Sequence, residues 1–195
     1  MGNTLIGLIV IAVIVGYPIM VYNRLVALRN RFRNGFAQID VQLQRRHDLI
    51  PNLVEAAKAY LSHERNTLEE VMQARNGAVA AQQDAASDPT DGQRIKKLSS
   101  AENMLTKALG GLYAVAEDYP DLKANETIQQ LMEDLSSTEN RVAFARQAFN
   151  DEVMHYNTYR EKFPHNILAG LFAFRASEQL QLENPEARQA PNVSF

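Results

Sequence analysis

Residues 126–163 read ETIQQLMEDLSSTENRVAFARQAFNDEVMHYNTYREKF, a stretch without glycine or proline. Within it Ile128, Leu131, Leu135, Val142, Ala145, Phe149, Val153, Tyr156 and Phe163 recur close to a seven-residue repeat,. That spacing predicts one long amphipathic helix from about Glu126 to Phe163, stopped by Pro164,. Its seam can pack within the protomer or between protomers, and packing within is the expectation.

On the C-terminal side, His165 to Leu182 is expected as a shorter amphipathic helix, followed by an extended tail over 183–195. The block Ile167 to Phe174 in it is nearly all apolar, so it must be buried on the bundle or serve as a protein or membrane contact,. On the N-terminal side, Asp118 to Ala124, centred on Pro120, reads as a turn,. A helix with the spine Leu98, Leu105, Leu109, Leu112 and Val115 precedes it, opened by a Thr90/Gln93 capping box,. Gly110-Gly111 inside that helix costs about 1 kcal/mol per glycine, and close approach of a neighbouring helix is the simplest reason for it. Ser87 to Gly92 is a turn by composition, and an earlier helical stretch with Leu53, Ala57, Leu61, Leu68, Val71 and Val79 runs to about Ala86. Pro51 is expected to bend the chain or restart the helix near Asp48,. Upstream, Leu25, Leu28, Phe32, Ile39 and Leu43, with Phe36 beside them, mark another amphipathic helix, expected to be continuous with the apolar N-terminal run,. No stretch shows the period-two alternation of a strand, so the fold class is all-α.

At the N-terminus, Thr4 to Tyr22 reads TLIGLIVIAVIVGYPIMVY without a charge. At 1.5 Å per residue it spans roughly 28 Å, about one hydrocarbon core. Only Gly2, Asn3 and Thr4 precede the apolar run, so it lacks the basic start of a secretory signal and reads as an uncleaved anchor,. Residues 1–23 are thus assigned to a transmembrane anchor contacting the lipid bilayer through 4–22, residues 24–182 to a helical bundle, and 183–195 to the tail. Arg24, Arg29, Arg31 and Arg33 form a basic collar on the C-terminal side alone. The positive-inside rule then places the N-terminus outside and the bundle in the cytoplasm.

Six arginines and two aspartates give residues 23–50 a charge of +4, leaving −7 on the remainder of a chain whose total is −3. A basic collar with an acidic body suits a membrane surface; the confinement of the basic residues argues against nucleic acid. The chain has no cysteine, which excludes disulfides, thiolate metal sites and cysteine nucleophiles,.

Catalytic patterns are thin. Glu152-Val-Met-His155 is a single Glu-x-x-His where a di-iron bundle uses two,. There is no His-Glu-x-x-His, Walker motif, dinucleotide loop or nucleophile elbow, so neither catalysis nor a cofactor is expected,. A sharper pattern lies at Glu139, Arg146, Asn150 and Asn157, which at about 100° per residue fall within roughly 20° of one line beside the apolar seam. Glu64 and Arg75 align likewise with Leu68 and Val71. Together they predict an inter-helix polar network in which Glu64 and Glu139 pair with Arg75 or Arg146, because a buried charge needs a partner.

The same residues carry a resemblance. Arg46-His-Asp48-Leu-Ile-Pro51-Asn52-Leu-Val-Glu55, His63-Glu64, Val71-x-x-Ala74-Arg75, Val115-Ala-Glu117-Asp-Tyr119-Pro120, Thr138-Glu139-Asn140-Arg141, Ala145-Arg146, Phe149-Asn150-Asp151, Tyr156-Asn157 and the ending Pro191-Asn-Val193-Ser-Phe195 resemble the LemA family of bacterial membrane proteins. Phe149 departs from the pattern, which has Tyr before the Asn-Asp pair. The resemblance implies an N-terminal transmembrane helix continuing into an antiparallel long-helix bundle, in the bacterial inner membrane. It implies no known enzymatic activity, an association with a membrane zinc metalloprotease, and relatives in magnetosome-forming bacteria. The leading reading is a membrane-tethered, self-associating scaffold or adaptor, a homo-oligomer engaged in envelope organisation. The alternatives are a metal- or small-ligand-dependent enzyme within the bundle and a lipid-binding membrane-remodelling protein.

Overall fold

A computed structural model describes residues 2–182. It contains six helices and, among the described residues, no strand: α1 (Gly2–Lys58), α2 (Arg65–Ser87), α3 (Gly92–Glu117), α4 (Pro120–Lys123), α5 (Glu126–Glu161) and α6 (His165–Leu171). α5 runs antiparallel along α1, with Phe149 edge-on to Phe32 and Phe36 and with Tyr156 against Phe32. The α2–α3 hairpin packs against α1 through α2, and Ile95 and Leu98 of α3 share a core cluster with Phe149 and Val153 of α5. The seam predicted on α5 is therefore used within the chain: Ile128, Leu135, Val142, Phe149, Val153 and Tyr156 are buried, whereas Phe163 lies beyond the helix end and is 80% exposed.

α1 is one helix of 57 residues, and Pro51 neither bends it to an end nor restarts it. Proline lacks the N–H that would bond the carbonyl four residues back, here that of His47. Arg75 Nε donates to that carbonyl at 3.0 Å. The group that Pro51 orphans is thus partnered from α2. The break comes later, over 59–64, a segment with neither glycine nor proline. It is held by burial of Leu61 and by Tyr60, whose hydroxyl accepts from Asn125 Nδ2 at 3.0 Å while Asn125 Oδ1 caps α5 at Ile128 N.

Three local expectations are corrected. Asp91, not Thr90, caps α3, accepting from Gln93 N at 2.9 Å, while the Thr90 hydroxyl donates to Asp88. Gly110 and Gly111 leave α3 unbroken, and a Cβ at either would meet nothing within 4 Å, so close approach is not their role. The tight crossing is at Gly35, where a Cβ would sit 3.3 Å from Phe149 Cα. Finally, His165–Leu182 is not one helix: α6 stops at Leu171, and residues 174–182 form an extended strap.

The core falls into two clusters along the bundle. One gathers Leu25 to Leu43 of α1 with Ala81, Ala85, Ile95, Leu98 and the later half of α5. The other gathers Ile50 to Ala57 with Val71, Ala78, Leu105, Leu112, Ile128 and Leu135. Between them the sequence places polar residues on the buried stripe of α1, α2 and α3.

Candidate functional site

Those residues form the most deeply buried polar group described in the molecule. Arg46 and His47 lie between Leu43 and Ile50 on α1, Gln82 between Ala78 and Ala85 on α2, and Glu102 between Leu98 and Leu105 on α3. Glu102 accepts from Arg46 Nη1 at 3.0 Å on one carboxylate oxygen and faces His47 Nε2 at 2.7 Å with the other. Arg46 Nη2 also donates to Thr106 Oγ1 at 3.0 Å. Gln82 Nε2 donates to the carbonyl and carboxylate of Asp40, which turns its Oε1 toward His47 Nδ1 at 2.8 Å. Both ring nitrogens of His47 thus have a hydrogen-bond partner, one on α2 and one on α3. The side chains of Glu102 and His47 are 0% exposed and that of Arg46 is 4% exposed, so the cluster has no open face for a substrate. Its chemistry suits a register lock: three helices meet at one height through polar groups that each need a partner there.

The predicted inter-helix network is not assembled. Glu139 is exposed, Glu64 stands at the N-cap of α2 without a side-chain cap bond, and neither enters an ion pair among the described residues. Arg75 serves the His47 carbonyl, with Asp48 Oδ1 4.0 Å away. Arg146, Asn150 and Asn157 do line one face, but they hold the strap instead of another helix. Asn157 donates to Ser177 O at 2.8 Å and accepts from Ser177 N at 3.1 Å. Asn150 makes the same pair of bonds with Leu180, at 3.1 and 2.8 Å. Arg146 Nη1 donates to Leu182 O at 2.6 Å. Seven helical residues rise about 10.5 Å and three extended residues about 10 Å, which is why the 150/157 spacing matches 177/180. From α3, Ser99 Oγ both donates to Gln181 O and accepts from Gln181 N, so the strap bridges α3 and α5. The tail 183–195 lies outside the described residues.

The collar is divided. Arg24 and Arg31 are exposed. Arg33 stands 4.0 Å from Asp88, and the Arg29 guanidinium lies 5.2 Å from the centre of the Phe174 ring. His155 of the Glu-x-x-His pair is exposed, and no group of three or more His, Asp or Glu side chains among the described residues could hold a metal ion.

A family model described as the LemA family matches residues 35–195. The chain belongs to the LemA family. Among curated proteins it is 26% identical over 178 residues to the magnetosome proteins MamQ 1 and MamQ 2 of Paramagnetospirillum magneticum, covering 84% of this chain and 65% of each relative. It is also 26% identical over 175 residues to the magnetosome protein MamQ of Magnetospirillum gryphiswaldense, covering 82% of this chain and 64% of that one. The chain thus spans a little under two thirds of the length of these relatives. In this LemA chain the matched region includes the whole buried layer and the strap, while the apolar run of 4–22 precedes it. That run belongs to a helix long and apolar enough to cross a membrane, with its side chains from Leu5 to Met20 largely exposed. Packing of the bundle begins before its end: Val21 is fully buried, within the interval assigned to the anchor.

The Arg46–His47–Glu102 layer escaped sequence reading although its signal was present. Each member occupies an apolar-stripe position of its helix, where a charge is out of place unless partners stand at the same height. Only the antiparallel register of α1 with the α2–α3 hairpin shows which partners those are.

Proposed function

We propose that this LemA-family protein is a membrane-tethered scaffold or adaptor without intrinsic catalysis, anchored through residues 4–22 in the bacterial inner membrane with its bundle in the cytoplasm. The observation that carries the reading is α1 itself. One unbroken helix leads from a bare apolar run into the centre of the core, so the body is coupled rigidly to its anchor. The exposed Arg24 and Arg31 on the body side support the cytoplasmic orientation,. That relatives carry the name magnetosome protein supports a role in organising a cellular structure. A membrane zinc metalloprotease is a partner to test, on the family resemblance alone.

Self-association is part of the proposal. Phe144 is 75% exposed on α5 and Val41 is 62% exposed on α1. The antiparallel register that sets Phe36 against Phe149 places both at the same height of the body. Confinement to a membrane raises the effective concentration of such a surface. Light scattering of the full-length chain in detergent tests this: a discrete oligomer that Phe144→Ser shifts toward monomer is expected. A wild-type protein that is monomeric at every concentration overturns the scaffold reading.

A further inference from the structure

The apolar block after Pro164 does not disappear into the bundle. α6 buries Ala169 and half-buries Leu168, and leaves Ile167 and Leu171, four residues apart, 61% and 75% exposed, while Phe163 just before it is 80% exposed. Its place is set by three ring contacts, one to α5 and two to α1. The His165 ring stacks on Tyr159 at 4.1 Å and on Tyr17 at 6.3 Å, and Phe172 lies edge-on to Tyr22 at 5.1 Å. Tyr17 and Tyr22 bound the last six residues of the apolar run. If Thr4 to Tyr22 crosses a hydrocarbon core of about 30 Å, whatever packs on Tyr17 to Tyr22 lies in its final 8 Å or so. A cleft lined by Arg24, Leu28, Arg31, His155, Tyr159 and Lys162 adjoins it through Tyr159.

We propose that α6 is a second membrane contact, in which Phe163, Ile167 and Leu171 enter the acyl–headgroup boundary of the leaflet that α1 leaves on the body side, while Arg24 and Lys162 meet anionic headgroups. The inference rests on α1 crossing the bilayer and goes beyond the scaffold role. Three observations choose lipid as the occupant. The exposed face is continuous with the apolar run through Tyr17 and Tyr22, it sits at the depth where aromatic side chains settle, and basic side chains border it. Because α6 stands on one side of α1, this contact fixes the rotation of the body about the anchor axis. A single span would leave that rotation free.

The chain has no tryptophan, so single tryptophans report depth directly. Full-length Ile167→Trp and Leu171→Trp, both at exposed positions, are reconstituted into phosphatidylethanolamine/phosphatidylglycerol vesicles. Lipids brominated near the headgroup or near the chain end serve as quenchers. Val13→Trp, mid-way along the apolar run, and Phe144→Trp, about 28 Å along α5 from Phe163, are the controls. The expected result is blue-shifted emission from 167 and 171, quenched more by shallow than by deep bromines. Val13→Trp should show the reverse order and Phe144→Trp no quenching. Loss of quenching at 167 and 171 with Val13→Trp still quenched overturns the α6 contact alone. Blue-shifted emission at 167 and 171 without quenching means that a second copy covers the face, and overturns it equally. An unquenched Val13→Trp overturns the spanning reading on which the inference stands.

Discussion

Replacing Glu102 by alanine removes the one carboxylate shared by Arg46 and His47 in a layer whose three side chains are all but inaccessible. The loss is not one hydrogen bond, because the guanidinium and the imidazole both stay behind without their acceptor. Breaking a buried pair by removing one partner costs about 3–5 kcal/mol. For a body of this size each kcal/mol lowers Tm by about 2–4 °C, so a fall of roughly 6–20 °C is expected. Far-UV circular dichroism of the full-length chain in detergent, heated with Glu102→Ala beside wild type, measures it. Glu139→Ala is the control, since an exposed residue outside any ion pair should change stability by no more than about 0.5 kcal/mol. A second comparison separates the worth of the layer from the cost of leaving it incomplete. Arg46→Met, His47→Leu and Glu102→Leu combined replace all three polar side chains by apolar groups, and stability should be recovered or exceeded. A Glu102→Ala protein that melts within about 3 °C of wild type would refute the reasoning, because it would mean that water reaches the layer.

The strap supplies a second expectation. Asn150→Ala and Asn157→Ala each remove two bonds to strap backbone, about 2 kcal/mol together, so amide exchange at Leu180 and Ser177 respectively should accelerate roughly 30-fold. Unchanged exchange would show that the clasp does not hold the strap. Arg75→Ala should cost about 1–3 kcal/mol by leaving the His47 carbonyl unpartnered, and less in a Pro51→Ala background where the N–H returns; equal costs in both backgrounds count against that coupling. The Thr90 hydroxyl bonded to Asp88 holds its carboxyl below the ordinary value of 3.8, against a smaller opposing effect of burial. A lowered folded value means that this stabilisation is present above the unfolded value and lost as pH falls through the folded one. Thr90→Val should raise the Asp88 titration midpoint measured by NMR, and an unmoved midpoint would assign the shift elsewhere.

The helices were legible because their signals are local. The apolar seam of α5 up to Tyr156 and the apolar run of 4–22 stand in the sequence as the structure has them, and the turn expected over Ser87–Gly92 falls at 88–91, with Ser87 closing α2 and Gly92 opening α3. Pro51 misled because its usual effect is cancelled by Arg75, which is 24 positions away and on another helix. The true break at 59–64 carries no glycine or proline and exists because Leu61 and Tyr60 find partners there. The polar line of Arg146, Asn150 and Asn157 was visible as a pattern, but its partner was not. A strap held by backbone groups has no side-chain signature, and the short spacing of Ser177 and Leu180 gains meaning only once Asn157 and Asn150 are known to face it.

Long antiparallel helices with apolar seams have one weakness: sliding by a heptad, about 10.5 Å, exchanges one set of aliphatic contacts for another at modest cost. In this bundle the slide is costly for a specific reason. Apolar clusters lie on both sides of the buried layer, so displacing α1 by seven residues would bring Arg46 and His47 against the neighbours of Leu53 or of Ile39. An uncompensated charge there costs several kcal/mol, more than the apolar contacts recover. The axial position of α1 thereby becomes a defined quantity. Since α1 also carries the apolar run, the layer sets how far the bundle stands from that run, and Gly35 against Phe149 brings α5 into the same register. α6 follows α5 and meets Tyr17 at a height that this register dictates. A charged layer more than forty residues from the start of the apolar run thus governs which residues reach its end, and under the tethered-scaffold proposal that placement is the working part.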